Sequence, residues 1–357
     1  MTSHHLDFGS ADFDLNEPAA LIAAIPAILG FTPEDSLVLV TVDRGQIGAV
    51  LRVDLDNELS DNLGELVSAA AAARPDAVIA VIVDAAGARC PMCIEGHQRL
   101  AAALATEVGG RDIPLVAAHL VDRVAAGGQW HCVDGCGARG RVNDPECSPV
   151  AVAAVLDGRR LYGRRSDLQA VIAVDDGPRS QRVAEAVAAL QAGEPEAAAA
   201  DTTSRARRAV QDTLAATARI AAGAELTDAE IAVVGFGMAD LRVRDTLYGL
   251  AVGAAADAAE ALWAALARVL PEQWRVEALV QLAFSAYARG DGPLAGVSLE
   301  AALRIDPVHR MAGMLDTALQ AGMRPEQIRD LAVTAYRLAD ELGVVLPARE
   351  EVGRRAG

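Results

Sequence analysis

The sequence predicts an α/β front half, a mixed β-sheet flanked by helices, followed by an α-helical, tetratricopeptide-like back half. Three observations carry this. Short aliphatic runs bounded by turn residues read as strands, those at 37–42 and 77–83 as buried ones, with another at 114–121. Longer segments of helical period alternate with them, the βαβ rhythm of a sheet with helices on its faces. From Thr202 onward only helical periods remain, and two of these segments repeat.

Taken in order, residues 1–16 are polar and acidic and are expected to fray or lie on the surface. Pro18 suits the first turn of a helix, Leu21, Ile22, Ile25 and Leu29 share one face, and Gly30 falls just past its end. Pro26 is expected to kink or interrupt it. A loop over 32–36 leads to the strand at 37–42, a turn at Asp43-Arg44-Gly45, and a returning strand at 47–54, which together predict a hairpin. The segment 55–73 reads as a helix capped by Ser60 or Asp61, with Leu63, Leu66, Val67 and Ala70 inward. A strand at 77–83, a helix at 95–108, a strand at 114–121 and a short strand at 128–132 follow. Ser148-Pro149 opens a further helix that Gly158 ends. The division is into an α/β domain, 1–175, that carries every cysteine, and a helical domain, 176–357, with the connection placed near 184–200.

In the helical half, Thr227-Asp228-Ala229-Glu230 is a capping box. Ala259, Trp263, Leu266 and Pro271 align with Ala295, Leu299, Ala302 and Pro307. Small residues at helix contacts and a proline that stops the helix resemble the tetratricopeptide pattern. The helices at 311–320 and 325–342 are expected to cap the array, and 349–357 to fray. Two readings stand open: a groove for a partner peptide or helix, or a bundle that only packs.

Composition narrows the function. Hydrophobic residues make up 52% of the 357 and aromatics only 3%, so the core is aliphatic. The formal charge of −17 repels phosphate backbones and anionic membranes, which makes nucleic acid an unfavourable partner. Every one of the 32 basic residues is arginine. This excludes a Schiff-base lysine and a Walker A loop. The apolar run at 19–31 follows acidic residues rather than a basic start, so no secretion signal is expected. The run at 250–270 is broken by Asp257, Glu260 and Arg268, against a membrane span. The expectation is a cytoplasmic protein with reduced cysteines.

The run IPAILGFTPEDSLVLV from Ile25, the RVDL at Arg52–Leu55, Gly290-Asp291-Gly292 and Asp306-Pro307 resemble an actinobacterial family catalogued as domain of unknown function 4192. The resemblance covers nearly the whole chain. It implies an uncharacterised protein and supplies no catalytic residues.

All five cysteines lie between positions 90 and 147. Cys90-Pro91-Met92-Cys93 is a C-x2-C knuckle with His97 four residues beyond it, and Cys132-Val133-Asp134-Gly135-Cys136 is C-x3-C, preceded by His131. Two such pairs would make a structural zinc site of Cys90, Cys93, Cys132 and Cys136, provided their strand ends share one edge of the sheet. Unbound thiols and a redox-active pair are the alternatives. The redox reading is weakened because Cys90-Pro91-Met92-Cys93 is expected to precede the helix at 95 rather than open it.

Asp43, Asp54, Asp84 and Asp122 each end or follow a predicted strand. Asp84 and Asp122 would share an edge and could hold magnesium, whereas a hairpin puts Asp43 and Asp54 at opposite ends. Aspartates also simply cap turns. No Ser-His-Asp arrangement is legible among His97, His119, His131 and His309. Gly235-Phe236-Gly237 lacks the context of a phosphate loop. Arg159, Arg160, Arg164 and Arg165 around Tyr162 form the most basic patch, read as an anion site or, more simply, as a solvated helix junction. The functional expectation is an interaction or adaptor protein that binds a protein partner through its helical half. The alternative is a small-molecule-binding protein or metal-dependent enzyme, with a pocket at the sheet edge near Asp84, Asp122 and the cysteines.

Overall fold

The structure, a computed structural model, describes residues 3–5, 17–56, 59–72, 74–156, 159–193, 202–321 and 323–349. A mixed sheet flanked by helices occupies the front half and the rest is helical. The chain divides into two compact units, residues 1–168 with 318–323, and residues 169–317 with 324–357.

In the first unit, β1 (Ser3–His5) pairs antiparallel with β3, and α1 (Pro18–Leu29) follows. Part of the segment expected to fray is therefore an edge strand. Helix α1 begins with proline in its first turn and ends on Gly30, whose φ of 76° is the left-handed conformation that glycine adopts without strain. It runs on through Pro26, contrary to the expected interruption. A mid-helix proline costs about 3 kcal/mol. Here every residue from Leu21 to Leu29 is buried, and that packing offsets the lost bond.

Strands β2 (Ser36–Asp43) and β3 (Gln46–Asp54) form the expected hairpin. The two-residue turn has positive φ at both Arg44 (52°) and Gly45 (76°), the mirror-image geometry that matches strand twist. A register shift between Val40 and Val42 marks a bulge opposite Thr41, whose hydroxyl donates to Ala49 O at 3.1 Å. A Cβ at Gly48 would lie 2.6 Å from that hydroxyl, so glycine is required there.

Helix α2 (Leu59–Ala71) starts before the expected caps, which leaves Ser60 and Asp61 inside it. Strand β4 (Ala77–Val83) pairs antiparallel with β2 and parallel with β5 (Leu115–Val121); α3 (Pro91–Gly109) is the crossover between β4 and β5. Strands β6 (Gln129–Cys132) and β7 (Arg139–Arg141) add antiparallel, giving the order β1-β3-β2-β4-β5-β6-β7. One face carries Leu37, Leu39, Ala80, Ile82, Ala118 and Leu120, packed under Leu66 and Val67 of α2 and Leu104 and Val108 of α3. The alternate residues Val38, Val40, Val50, Ile79 and Val81 are equally buried on the opposite face, and α1 packs against α4 (Pro149–Leu156). Gly158, expected to end α4, lies outside the described residues. Helix α5 (Arg165–Ala170) closes this stretch.

The second unit contains α6 (Pro178–Ala192), α7 (Thr202–Ala221), α8 (Asp228–Gly237), α9 (Leu241–Leu247), α10 (Ala256–Val269), α11 (Glu272–Arg289), α12 (Gly292–Ile305) and, for most of its length, α13 (Arg310–Gln320). Helix α14 (Pro325–Leu342) follows. Helix α6 occupies much of the stretch expected to be a connection. The capping box forms as read: Thr227 Oγ1 accepts from the Glu230 amide at 3.2 Å, and Glu230 accepts from the Thr227 amide at 2.8 Å. The aligned residues Ala259, Trp263, Leu266, Ala295, Leu299 and Ala302 are all fully buried. They pack α10 and α12 against α11, which is buried at every position from Ala278 to Ala288 and also touches α8, α9 and α14. Helix α11 thus stands at the centre of a bundle, where an open repeat array would leave a groove. Among the described residues no helix is long and apolar enough to cross a membrane.

Candidate functional site

The carboxyl ends of β4 and β5 lie side by side, with Val83 opposite Val121 and the Asp84 amide donating to Val121 O at 3.0 Å. Because β2 runs antiparallel to β4, Ser36 at its start lies opposite Val83, and β3 ends beside it with Asp54. One edge of the sheet therefore gathers the loop before β2, the end of β3, and the turns that leave β4 and β5. This is where ligands meet open α/β sheets.

The run that resembles the family occupies this edge. The Arg52 guanidinium, its side chain only 8% exposed, donates to Ser36 Oγ at 2.8 Å and pairs with Asp54 at 2.5 Å. The Leu55 amide donates to Asp35 O at 2.9 Å, and Tyr162 N donates to Gly30 O at 2.7 Å. Arg164 and Arg165, read as part of an anion patch, pair with Glu34 at 3.8 Å and Asp54 at 3.7 Å. These contacts brace the loop.

Asp84 follows β4 directly. Its Oδ1 accepts from the Gly87 amide at 2.7 Å, and its Oδ2 lies 2.9 Å from His97 Nε2. Burial pushes its carboxyl up, but the Gly87 bond, the His97 ring and the Ala86 amide outweigh it and hold it below the ordinary value. The chain then makes one 3₁₀ turn, Gly87–Arg89, and Cys90 becomes the N-cap of α3 with Pro91 at the first position. This corrects the expected start at 95. Proline in the first turn loses no hydrogen bond and presets φ, so the helix begins at the motif itself. Cys93 sits one turn in, His97 one turn further on the same face, and Met92 between the cysteines is 79% exposed.

The two thiols differ. Hydrogen bonding from the Cys93 amide, then from the Cys93 thiol, together with the Met92 amide, holds the Cys90 thiol below its ordinary value against burial and the Asp84 charge. The Cys93 thiol is pushed up by its bond to Cys90, by burial and by the charges of Cys90 and Asp84. Gly87 is wedged between them: a Cβ there would stand 2.0 Å from Asp84 Oδ2 and 3.1 Å from Cys93 Cβ.

Asp122, nearly buried, accepts from the Gln129 amide at 2.8 Å and pairs with Arg89 and Arg123, each at 3.3 Å. Asp84 and Asp122 do share the edge, and each carboxylate is held there by protein partners of its own. Asp43 lies at the hairpin turn, away from Asp54.

The second cysteine pair is elsewhere. Strand β6 pairs Trp130 with Val121 and Cys132 with His119, so the chain runs back along β5, and the Val133 amide donates to Ala118 O. Cys132 and His119 also belong to the alternate set of side chains, on the sheet face away from α3. The structure therefore does not assemble Cys90, Cys93, Cys132 and Cys136 into one site. It instead brings the ligand atoms of Cys132, Asp134 and Cys136 within 4.8 Å of one another. Asp134 was not singled out by spacing, although it lies inside the C-x3-C motif. Cys132 Sγ lies 3.3 Å from His119 Nδ1, and burial first, then the Cys136 thiol and nearby charge, push the Cys132 thiol up to about 12. Cys147 is exposed beside Asp144, whose charge raises it. His309 lies in the helical unit, 3.3 Å from Glu277 Oε1.

A family model described as a domain of unknown function (DUF4192) matches residues 18–326. No curated protein and no solved structure matches the chain.

Proposed function

The chain belongs to the DUF4192 family, whose matched segment contains every residue named at the sheet edge, and on that premise we propose that it is a cytoplasmic thiol–disulfide exchange protein acting through Cys90 and Cys93. The observation that carries this is the seat of the motif: Cys90 caps a helix at the carboxyl edge of a parallel strand pair, with Cys93 one turn inside. The amides of a first helical turn stabilise an anion, and those of Cys93 and Met92 favour the thiolate of the N-cap Cys90.

In the proposed reaction the Cys90 thiolate attacks one sulfur of a substrate disulfide and expels the other sulfur as a thiolate. A mixed disulfide results. Cys93 then loses its proton and attacks Cys90 Sγ, releasing the second substrate sulfur. Two electrons pass from the dithiol to the substrate, and both substrate thiolates take up protons. Asp84, paired with His97 and close enough for its charge to raise Cys93, would accept the Cys93 proton. A thiol reductant of the reducing compartment returns the pair to its dithiol. Met92, exposed between the sulfurs, offers an apolar contact to the substrate.

The zinc reading keeps support only at Cys132 and Cys136, which lie with Asp134. The adaptor reading would need a surface other than α11, which is enclosed from Ala278 to Ala288.

The test is exchange with oxidised glutathione. Wild-type protein is expected to form one disulfide, Cys90 to Cys93, by peptide mapping. Cys93→Ser should accumulate a mixed disulfide at Cys90 and Cys90→Ser none at Cys93. If Cys93→Ser traps glutathione no faster at Cys90 than at exposed Cys147, the proposal fails.

A further inference from the structure

We propose that Cys132, Asp134 and Cys136, with His119 as the fourth donor, form a site for a thiophilic divalent cation, zinc by its chemistry. This stands apart from the dithiol reading, since it uses none of the same residues and lies on the other face of the sheet.

The four donors come from two kinds of support. His119 and Cys132 face each other across the β5–β6 pairing, each fixed by its strand. Asp134 and Cys136 come from the turn that follows, where Gly135 and Gly137 take φ of 90° and 78° and allow the chain to double back. The thiol and carboxylate atoms lie within 4.8 Å of one another. Tetrahedral zinc with bonds of about 2.0–2.3 Å holds its ligand atoms roughly 3.3–3.8 Å apart. These three need to contract by about 1 Å, and His119, outside that set and in contact with it through Cys132 Sγ, must turn toward Asp134 and Cys136 to complete it. His119 Nδ1 already stands 3.3 Å from Cys132 Sγ, the length of one edge of such a tetrahedron, and its side chain is buried. His131 belongs to the alternate face of β6 and cannot join.

The donor set also selects the ion. Two thiolates exclude magnesium and calcium, which take oxygen ligands, and a Cys-Cys-Asp-His set suits zinc or cobalt. Asp134 keeps the bond it accepts from the Cys136 amide at 2.9 Å, which orients the carboxylate as an outer hydrogen bond orients a ligand. Four protein donors leave no open position. The ion would therefore pin the β6–β7 turn to β5 rather than perform chemistry.

The experiment is cobalt titration of reduced, chelator-treated full-length protein. One equivalent should give the thiolate-to-cobalt charge-transfer absorption and tetrahedral visible bands, and zinc should displace both. The Cys90→Ser, Cys93→Ser double variant should keep the spectrum. Cys136→Ser should lose the charge-transfer intensity of one thiolate and bind at least tenfold more weakly, and Asp134→Asn should weaken binding with the charge-transfer band retained. Because Cys132→Ser removes a half-buried group, zinc protection of Cys136 from alkylation in wild-type protein is the second readout. No charge-transfer band at one equivalent, loss of the band in the Cys90, Cys93 variant, or no protection of Cys136 would each overturn the assignment.

Discussion

Gly87 decides how closely Asp84 can approach the cysteine helix. A methyl group there would stand 2.0 Å from Asp84 Oδ2, so Gly87→Ala must drive the carboxylate out of its place. We expect a loss of about 1–3 kcal/mol, by analogy with overpacking a tight site, read from urea denaturation, together with slower exchange at Cys93 if the Asp84–His97 pair serves it. Asp84 also carries a pH signature. Its carboxyl is held below the ordinary value, with burial opposing and the Gly87 and His97 bonds prevailing. A depressed carboxyl contributes stability that is fully present above the unfolded value and fades as pH falls through the folded one. Asp84→Asn should therefore lower stability near neutrality and flatten the acid limb, so that variant and wild type converge as pH falls below the ordinary carboxylate range. An unchanged acid limb in urea melts from pH 5 downward would contradict this. At this scale the sequence was informative about chemistry and poor about neighbours. The spacing of Cys90 and Cys93 was plain. Yet Gly87 and Arg89 have no motif, and their roles come from a turn whose shape depends on where α3 starts.

Elements were legible where one period dominated. The aliphatic runs of β2 and β4 needed no context, since both faces are covered, and β5 is covered from Ala118 onward. The start of α3 was misjudged because the small and sulfur-bearing residues before Glu95 carry no apolar period, although Pro91 is itself a first-turn signal. Strand β7 is three residues, Arg-Gly-Arg, at the sheet margin, and charge and glycine hide it from any strand pattern. Pro26 misled in the other direction, because burial rather than propensity decides α1. The brace at the sheet edge makes its own prediction. Arg52 holds Ser36 on one strand and Asp54 on the other, with the guanidinium nearly buried. Arg52→Ala should cost about 1–3 kcal/mol, the range for stranding a buried hydrogen-bond partner, here Ser36. Arg52→Lys should recover little, because an ammonium cannot bridge both in the fork geometry. Equal stability of the lysine variant and wild type in chemical denaturation would rule this out.

Each of the two compact units has its own core, and the two differ in kind. The first is a layered sheet whose chemistry sits at its edges. The sequence foretold that layering, but not that the two cysteine pairs part company, because which way β6 runs along β5 is a matter of topology. The second is built round α11. Leu282, fully buried at its centre, should cost about 2–5 kcal/mol when cut to alanine, seen as a lower denaturation midpoint; a change under half a kilocalorie would mean the centre is not packed as described. A helix enclosed without interruption from Ala278 to Ala288 has a further consequence for how this half comes into being. That stretch finds its cover in helices that precede and follow it in the chain, and both must arrive before it is sheltered. Its amides should accordingly be the last to trade hydrogen for deuterium, opening only when the whole surrounding bundle comes apart.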